Sequence, residues 1–343
     1  MRKKNPLRRG WESFLRFTAM HSGMIIVALL VVTAAVPFLT TNRYVLRIGT
    51  LCLVNIILTL GLNLVTGYMG QMSFGQAAFW GIAAYAGTLL IMKLGFSTIP
   101  AMLAATVISG LFGYLVALPS LKLKGYYLTI VTMGFCEIVR LVELNWTSLT
   151  GGPLGIMNIP PVTIFGQTLR SPRAMYLMAL VMVVIVTVIV KNLIDSSFGL
   201  SIKAIRDDED AAETMGINIV SIKRRNFVIS AMIAGFAGAF YAQYVTFIHP
   251  TIFTTAASQE LVVMIIFGGL GSLPGTFLGA IALTLLPELL RDLLQYRMLI
   301  YGALMVIMMI LKPDGLLGNL NLGLIRRVET ERREAAGKGG SRV

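Results

Sequence analysis

A chain of 343 residues that is 56% hydrophobic, only 13% charged and has a mean hydropathy of +0.78 lacks the polar surface to cover a soluble globule, so it reads as an integral membrane protein. Its net charge of +13 does not mark a nucleic-acid binder, because Lys and Arg fall in short clusters between apolar runs with no aromatic residues among them. Cys52 and Cys136 lie inside apolar segments without paired spacing, which argues against a disulfide framework or a metal site and makes them small core residues.

The basic opening MRKKNPLRRG reads as a cytoplasmic N-terminus over residues 1–23, and no small-residue cleavage site follows Pro37, so the first apolar run is an uncleaved span. About 20 apolar residues cross a bilayer core. On that rule spans fall near 24–40, 45–66, 75–94, 98–118, 126–144, 174–194, 225–247 and 297–312. Region 258–291 is longer than one span and is interrupted by FGGLGSLPG, whose glycines and Pro274 break helical continuity, so two short segments around a turn are expected there. The fold class is therefore all-α and polytopic, with about ten spanning or half-spanning helices in a transmembrane domain over 24–318 and a basic cytoplasmic tail over 319–343. With the N-terminus inside, Lys122, Lys124, the Lys191 to Arg225 region and Arg326, Arg327, Arg332 and Arg333 all fall on the cytoplasmic side. Arg43, Arg47 and Lys93 fall outside and run against the rule.

Within the second and third spans, GYMGQMSFGQ combines the helix-interrupting Gly67, Gly70 and Gly75 with the uncharged donors and acceptors Gln71, Ser73 and Gln76. Such a segment either lines a watery path or packs helices closely through small residues, and the two uses are compatible. Glu137 and Arg140, three residues apart, share one helix face and neutralise each other; they are candidates for the path, or a packing pair, with Arg140 and Glu143 snorkelling outward in the bland reading. The external connection over about 145–173, opened by NWTSLTGGPLGI, is rich in Gly, Pro and hydroxyl side chains and either forms a surface for a delivering protein or packs on the bundle. His21 and His249 are isolated near span ends and read as interface residues, and Trp11, Trp80 and Trp146 as interface anchors or packing.

The longest cytoplasmic loop, about 195–224, holds five of the sixteen acids between Asp207 and Glu213. Ile202, Ile205, Ala212 and Met215 recur at helical spacing, Asp207 or Asp208 is placed to cap a helix beginning near Glu209, and Gly216 to end it. One or two short amphipathic helices follow. Against the reading of a merely solvated loop, the small face of Ala211, Ala212, Met215 and Gly216 suits close contact with a partner.

The stretch GLSIKAIRDDEDAAETMGINIVSIKRRNFVISAMIAGFAGAFYA resembles the coupling loop and following helix of LivM-type permeases, the membrane subunits of branched-chain amino acid ABC importers. The segments Gly67 to Tyr85, Leu121 to Ile156, Phe267 to Ala280 and KPDGLLG (Lys312 to Gly318) resemble signatures of the same family, in family order, so the likeness covers about residues 45–318. The resemblance implies a type II-like importer fold in the cytoplasmic membrane, a second homologous permease, two cytoplasmic ATP-binding subunits and a periplasmic solute-binding protein. It also implies that Arg206, Asp207, Asp208, Glu209, Ala211, Ala212, Met215 and Gly216 receive the ATPase, and that Gln71, Ser73, Gln76, Glu137 and Arg140 lie along the path. Gln76 and Tyr126 depart from many relatives, which leaves urea, short amides or another small solute open. Independently, no phosphate-binding G-x-x-x-x-G-K-[ST] stretch occurs, Lys338 in AAGKGG lacking the following hydroxyl, so no enzymatic ATPase site and no cofactor are expected in this chain. An ion-coupled secondary carrier would need titratable groups in the spans, of which Glu137 alone stands out, and a membrane-embedded enzyme would need a clustered nucleophile, metal ligands or paired carboxylates.

Overall fold

The computed structural model describes residues 22–120, 126–164 and 167–289, with 302–303, 306, 310 and 315–317. The expected termini 1–21 and 319–343, Lys122 and Lys124, and most of the span at 297–312 lie outside the described residues. In chain order the helices are α1 (Ser22–Leu39), α2 (Arg43–Asn63, continued by a π-helical turn Leu64–Tyr68), α3 (Gln76–Leu94), α4 (Thr98–Ser120), α5 (Tyr126–Asn145) and the single turn α6 (Thr147–Thr150). After them come α7 (Pro172–Asp195), α8 (Ser197–Asp207), α9 (Glu209–Thr214), α10 (Ile219–Val245), α11 (Thr255–Gly268) and α12 (Leu273–Leu289). Among the described residues, six segments are long and apolar enough to cross a membrane: Arg43–Tyr68, Gln76–Leu94, Thr98–Leu118, Pro172–Asp195, Ile219–Val245 and Pro250–Gly268. The all-α class holds apart from a small hairpin before α7, in which β1 (Thr163–Ile164) pairs antiparallel with β2 (Gln167–Thr168).

Burial orders these helices. The most apolar window of α2 is 78% buried against 44% for α4 and α7, so α2 is the central pillar and the other two face outward. Their outward stripes, Leu103, Val107, Leu111 and Leu115 on α4 and Leu177, Val181, Val184 and Val188 on α7, recur at helical spacing and are exposed, as a lipid-facing surface requires. Between helices the chain uses small residues. A methyl group on Gly113 would meet Ala231 at 2.5 Å, and one on Gly235 would meet Ser109 at the same distance, so α10 and α4 approach at backbone range. Ser109 completes that contact by donating to the carbonyls of Phe79 (3.1 Å) and Ala231 (2.8 Å).

Two helix interruptions fall where glycine and proline place them. After the π-helical turn the chain reverses, and α3 starts beside Leu58, ten residues back along α2 or about 15 Å of helical rise. Region 258–291 is indeed two helices, α11 and α12, joined by the turn Gly269–Ser272. One boundary differs: α10 starts at Ile219 rather than near 225, because Asn218 caps it by accepting from the Ser221 amide at 3.0 Å and Lys223 is neutralised inside the chain. Segment 145–171 and the α8–α9 segment lie at opposite ends of the bundle. The first packs by the anti-parallel bridge Ile156–Ile248 and a His249 Nε2 contact of 2.8 Å to the Pro153 carbonyl; the second packs on the far ends of α2 and α7.

Candidate functional site

At the α8–α9 end, Asp208 accepts from the Ala211 amide at 3.0 Å and so caps α9. Gly216 ends that helix with φ +83°, a conformation in which any side chain is strained. The expected docking surface divides in two. Ile202, Ile205 and Ala212 are buried in the core, Glu209 Oε1 pairs with Lys223 Nζ at 2.5 Å, and Arg206 turns back towards the bundle. Asp207, Asp208, Asp210, Ala211, Glu213, Met215 and Gly216 stay exposed, Met215 at 83%. Ala212, placed by sequence on the outward small face, is therefore a core contact: its side chain sits where the α9 backbone meets α8 and α10, and the residue beside it, Ala211, takes the outward position.

Arg206 carries the link to the membrane helices. The π-helical turn at Leu64–Tyr68 leaves its final carbonyls without the usual helical donors, and Arg206 Nη1 donates to the Gly67 carbonyl at 2.6 Å. Asn63, one turn earlier, accepts from the Gly271 amide at 3.1 Å and donates to Thr276 Oγ1 at 2.8 Å, so the α2 break is tied to the α11–α12 break. Gly67 has no room for a side chain there, since a methyl group would lie 2.5 Å from the Gly271 nitrogen. Leu316 and Leu317 then donate their amides to the Phe267 and Gly268 carbonyls that end α11, at 3.0 and 2.9 Å. Three glycine-bearing segments far apart in sequence, GYMG, FGGLG and residues 315–317, thus meet at one place.

The remaining sequence candidates are distributed. Gln76 is buried and bonded on both sides of its amide, donating to the Leu58 carbonyl at 3.2 Å and accepting from Ser230 at 3.3 Å, which joins α2, α3 and α10. Ser73 is buried and accepts from the Gly75 amide at 3.4 Å, and Gln71 is half-buried in the same reversing segment, its amide bonded to the Val65 carbonyl at 3.0 Å. Glu137 and Arg140 pair as their spacing requires, Arg140 Nε lying 3.0 Å from both carboxylate oxygens, on a face of α5 where both side chains are partly exposed. Glu143 does not snorkel outward. It is 4% exposed and turned towards Gly81 of α3, and among the described residues neither of its oxygens has a hydrogen-bond donor. Trp80 packs edge-on against Tyr241 and Phe253, as a buried anchor of α3.

Two adjoining cavities open along α2, and sequence reasoning did not place them. One, of about 590 Å³, lies between α2, α11 and α12 and is lined by Arg47, Asn55, Trp80, Glu260, Thr284 and Glu288 among others. The second, of about 740 Å³, is lined by Arg43, Arg47, Arg170, Gln243 and Tyr244. Arg47, Leu51 and Tyr241 line both. Arg43 and Arg47, two of the three basic residues that ran against the charge rule, therefore line this hollow together with Glu260 and Glu288, whereas Lys93 lies elsewhere and donates to the Ser148 carbonyl at 3.3 Å. The signal for this was present: Glu260 sits in an apolar segment with no basic residue within a helical turn of it.

A bundle of membrane-length helices with two interrupted segments meeting below a polar hollow, and with amphipathic helices at one end, has the architecture of a membrane transport subunit. The comparisons narrow this class. The family described as "Branched-chain amino acid transport system / permease component" matches residues 44–310, and the chain belongs to it. It is 39% identical over 317 residues to the high-affinity branched-chain amino acid transport system permease protein LivM of Escherichia coli K12, covering 86% of this chain and 74% of that one. It is 23% identical to the LivH permease of the same organism, covering 76% and 90%, and 25% identical to the ribose import permease RbsC of Haemophilus influenzae, covering 86% and 94%. No solved structure matches. The chain is thus a multi-pass membrane permease component of an ABC transport system.

Proposed function

We propose that this chain forms, with a second and homologous permease, the membrane path by which branched-chain amino acids enter the cell. Two ATP-binding subunits drive it from the cytoplasm, and a solute-binding protein delivers to the opposite side. The likeness to LivM at 39% identity, well above that to the ribose permease, supports an amino acid as the solute, and the weaker likeness to LivH supports a homologous partner. The observation that carries the mechanical part is the exposed acidic pair of helices α8 and α9, joined through Arg206 to the α2 interruption, which Asn63 ties in turn to the α11–α12 interruption. Asp207, Asp208, Ala211, Met215 and Gly216 then face the ATPase, while Arg206, Glu209 and Ala212 hold that surface onto the bundle.

The zwitterionic solute meets Arg47 and Glu260 in the hollow beside α2, where a carboxylate and an ammonium both find a counter-charge. Gln71, Glu137 and Arg140 are kept as secondary path positions at the edge of the bundle. Proteoliposomes test the reading: radiolabelled leucine should accumulate only when this chain, a second permease, the ATP-binding subunits, the binding protein and ATP are all present. Accumulation by this chain alone would refute it.

A further inference from the structure

We infer that Arg206 is a positioning residue that clamps the α8–α9 pair to both interrupted membrane helices, and so converts displacement of the pair into movement of the two breaks. This rests on the proposed function, since it specifies how a push on α8–α9 would reach the path. Arg206 lies in the last turn of α8, and Ile202 and Ile205, about one turn apart, fix that helix in the core, so its stem moves with the helix. One edge of its guanidinium turns inward although the residue is exposed. Nη1 reaches the Gly67 carbonyl at 2.6 Å, across 139 residues of sequence.

The surroundings are shaped for that reach. Gly70 and Gly271 both have positive φ, +75° and +72°, and both lie against the arginine. A methyl group on Gly70 would sit 3.0 Å from Arg206 Cγ, and one on Gly271 would sit 2.9 Å from Nη1. One side chain thus occupies the groove between the end of α2 and the α11–α12 turn. A cation at the C-terminal end of a helix also meets the negative end of its dipole, which favours this position over a solvated one. The clamp is releasable, because Arg206 is exposed on its outer side and letting go of the carbonyl strands no buried charge. Asn63 gives the downstream connection by holding the Gly271 amide and Thr276 from α2, so the two breaks move together.

The test uses the complete transporter in lipid nanodiscs, with Arg206→Ala, Arg206→Lys and Lys191→Gln, the last an exposed residue on α7 outside the α8–α9 surface. Three quantities are read: retention of the ATP-binding subunits, leucine moved per ATP hydrolysed, and the distance between spin labels at Met72 and Met215, both exposed. Loss of one charge-assisted hydrogen bond should lower transport per ATP about tenfold in Arg206→Ala, with the ATPase retained and the label distance broadened before ATP is added. Arg206→Lys, which keeps a charged donor, should recover part of both, and Lys191→Gln should behave as the parent. Unchanged transport per ATP and unchanged distances in Arg206→Ala overturn the clamp, as does loss of the ATPase in that variant, which would make Arg206 a direct contact. If the parent itself retains no ATPase, the proposed function fails instead.

Discussion

Replacing Glu209 by Gln leaves the Lys223 ammonium, 3% exposed at its side chain, without the carboxylate that neutralises it at 2.5 Å. Breaking a buried ion pair from one side costs about 3–5 kcal/mol, and the 24% exposure of Glu209 places this pair at the low end, near 3 kcal/mol. The cost falls on the docking of α9 against α10, since these are the elements the pair joins, and not on the bundle as a whole. About 3 kcal/mol corresponds to roughly two orders of magnitude in the population of the detached form. Ala212 reports that form, because it is buried at 4% and becomes accessible only when α9 lifts. In an Ala212→Cys background, the maleimide labelling rate at residue 212 should rise about a hundredfold with Glu209→Gln, while the double change Glu209→Leu with Lys223→Met should return it near the parent rate. A rise of less than about threefold for Glu209→Gln would refute the reasoning, because it would mean the pair does not hold α9 down.

Ala211 and Ala212 should separate by function: Trp at buried Ala212 overpacks the core at about 1–3 kcal/mol and lowers the melting temperature of this chain alone, whereas Trp at exposed Ala211 leaves that temperature unchanged and weakens co-purification of the ATPase. Gly67→Ala forces a methyl group to 2.5 Å from the Gly271 nitrogen, so yield of monodisperse protein should collapse, while Gly134→Ala, with nothing within 4 Å, should express normally. Glu137→Gln removes a partly exposed pair worth about 0–1 kcal/mol, and thermal unfolding in detergent should move by no more than a few degrees.

The helices and their interruptions were legible because glycine, proline and a 20-residue apolar length act locally. FGGLGSLPG splits α11 from α12 by residues inside itself, and Asp208 and Gly216 begin and end α9 by their own chemistry. What the sequence hid depends on partners far away in the chain. Arg206 is one charge in a charged loop until the Gly67 carbonyl, 139 residues earlier, is placed beside it. Glu209 is one of five clustered acids, and only its partner at Lys223 sets it apart from Asp208 or Glu213. Helical spacing grouped Ala212 with Met215, but α9 is too short for a face to repeat, so contact with α8 and α10 decided which alanine turned inward. The hollow beside α2 requires three helices to converge, and the one local sign of it, Glu260 in an apolar segment, does not say which helices meet there.

On the proposed function, the exposed side of α8–α9 engages an ATP-binding subunit. A photo-crosslinking amino acid at Met215, exposed at 83% and at the tip of that surface, tests it in intact membranes containing the assembled transporter. The account predicts an adduct between this chain and the ATP-binding subunit, lost when Ala211→Trp is added. Adducts with lipid or with the solute-binding protein, and none with the ATP-binding subunit, would contradict it.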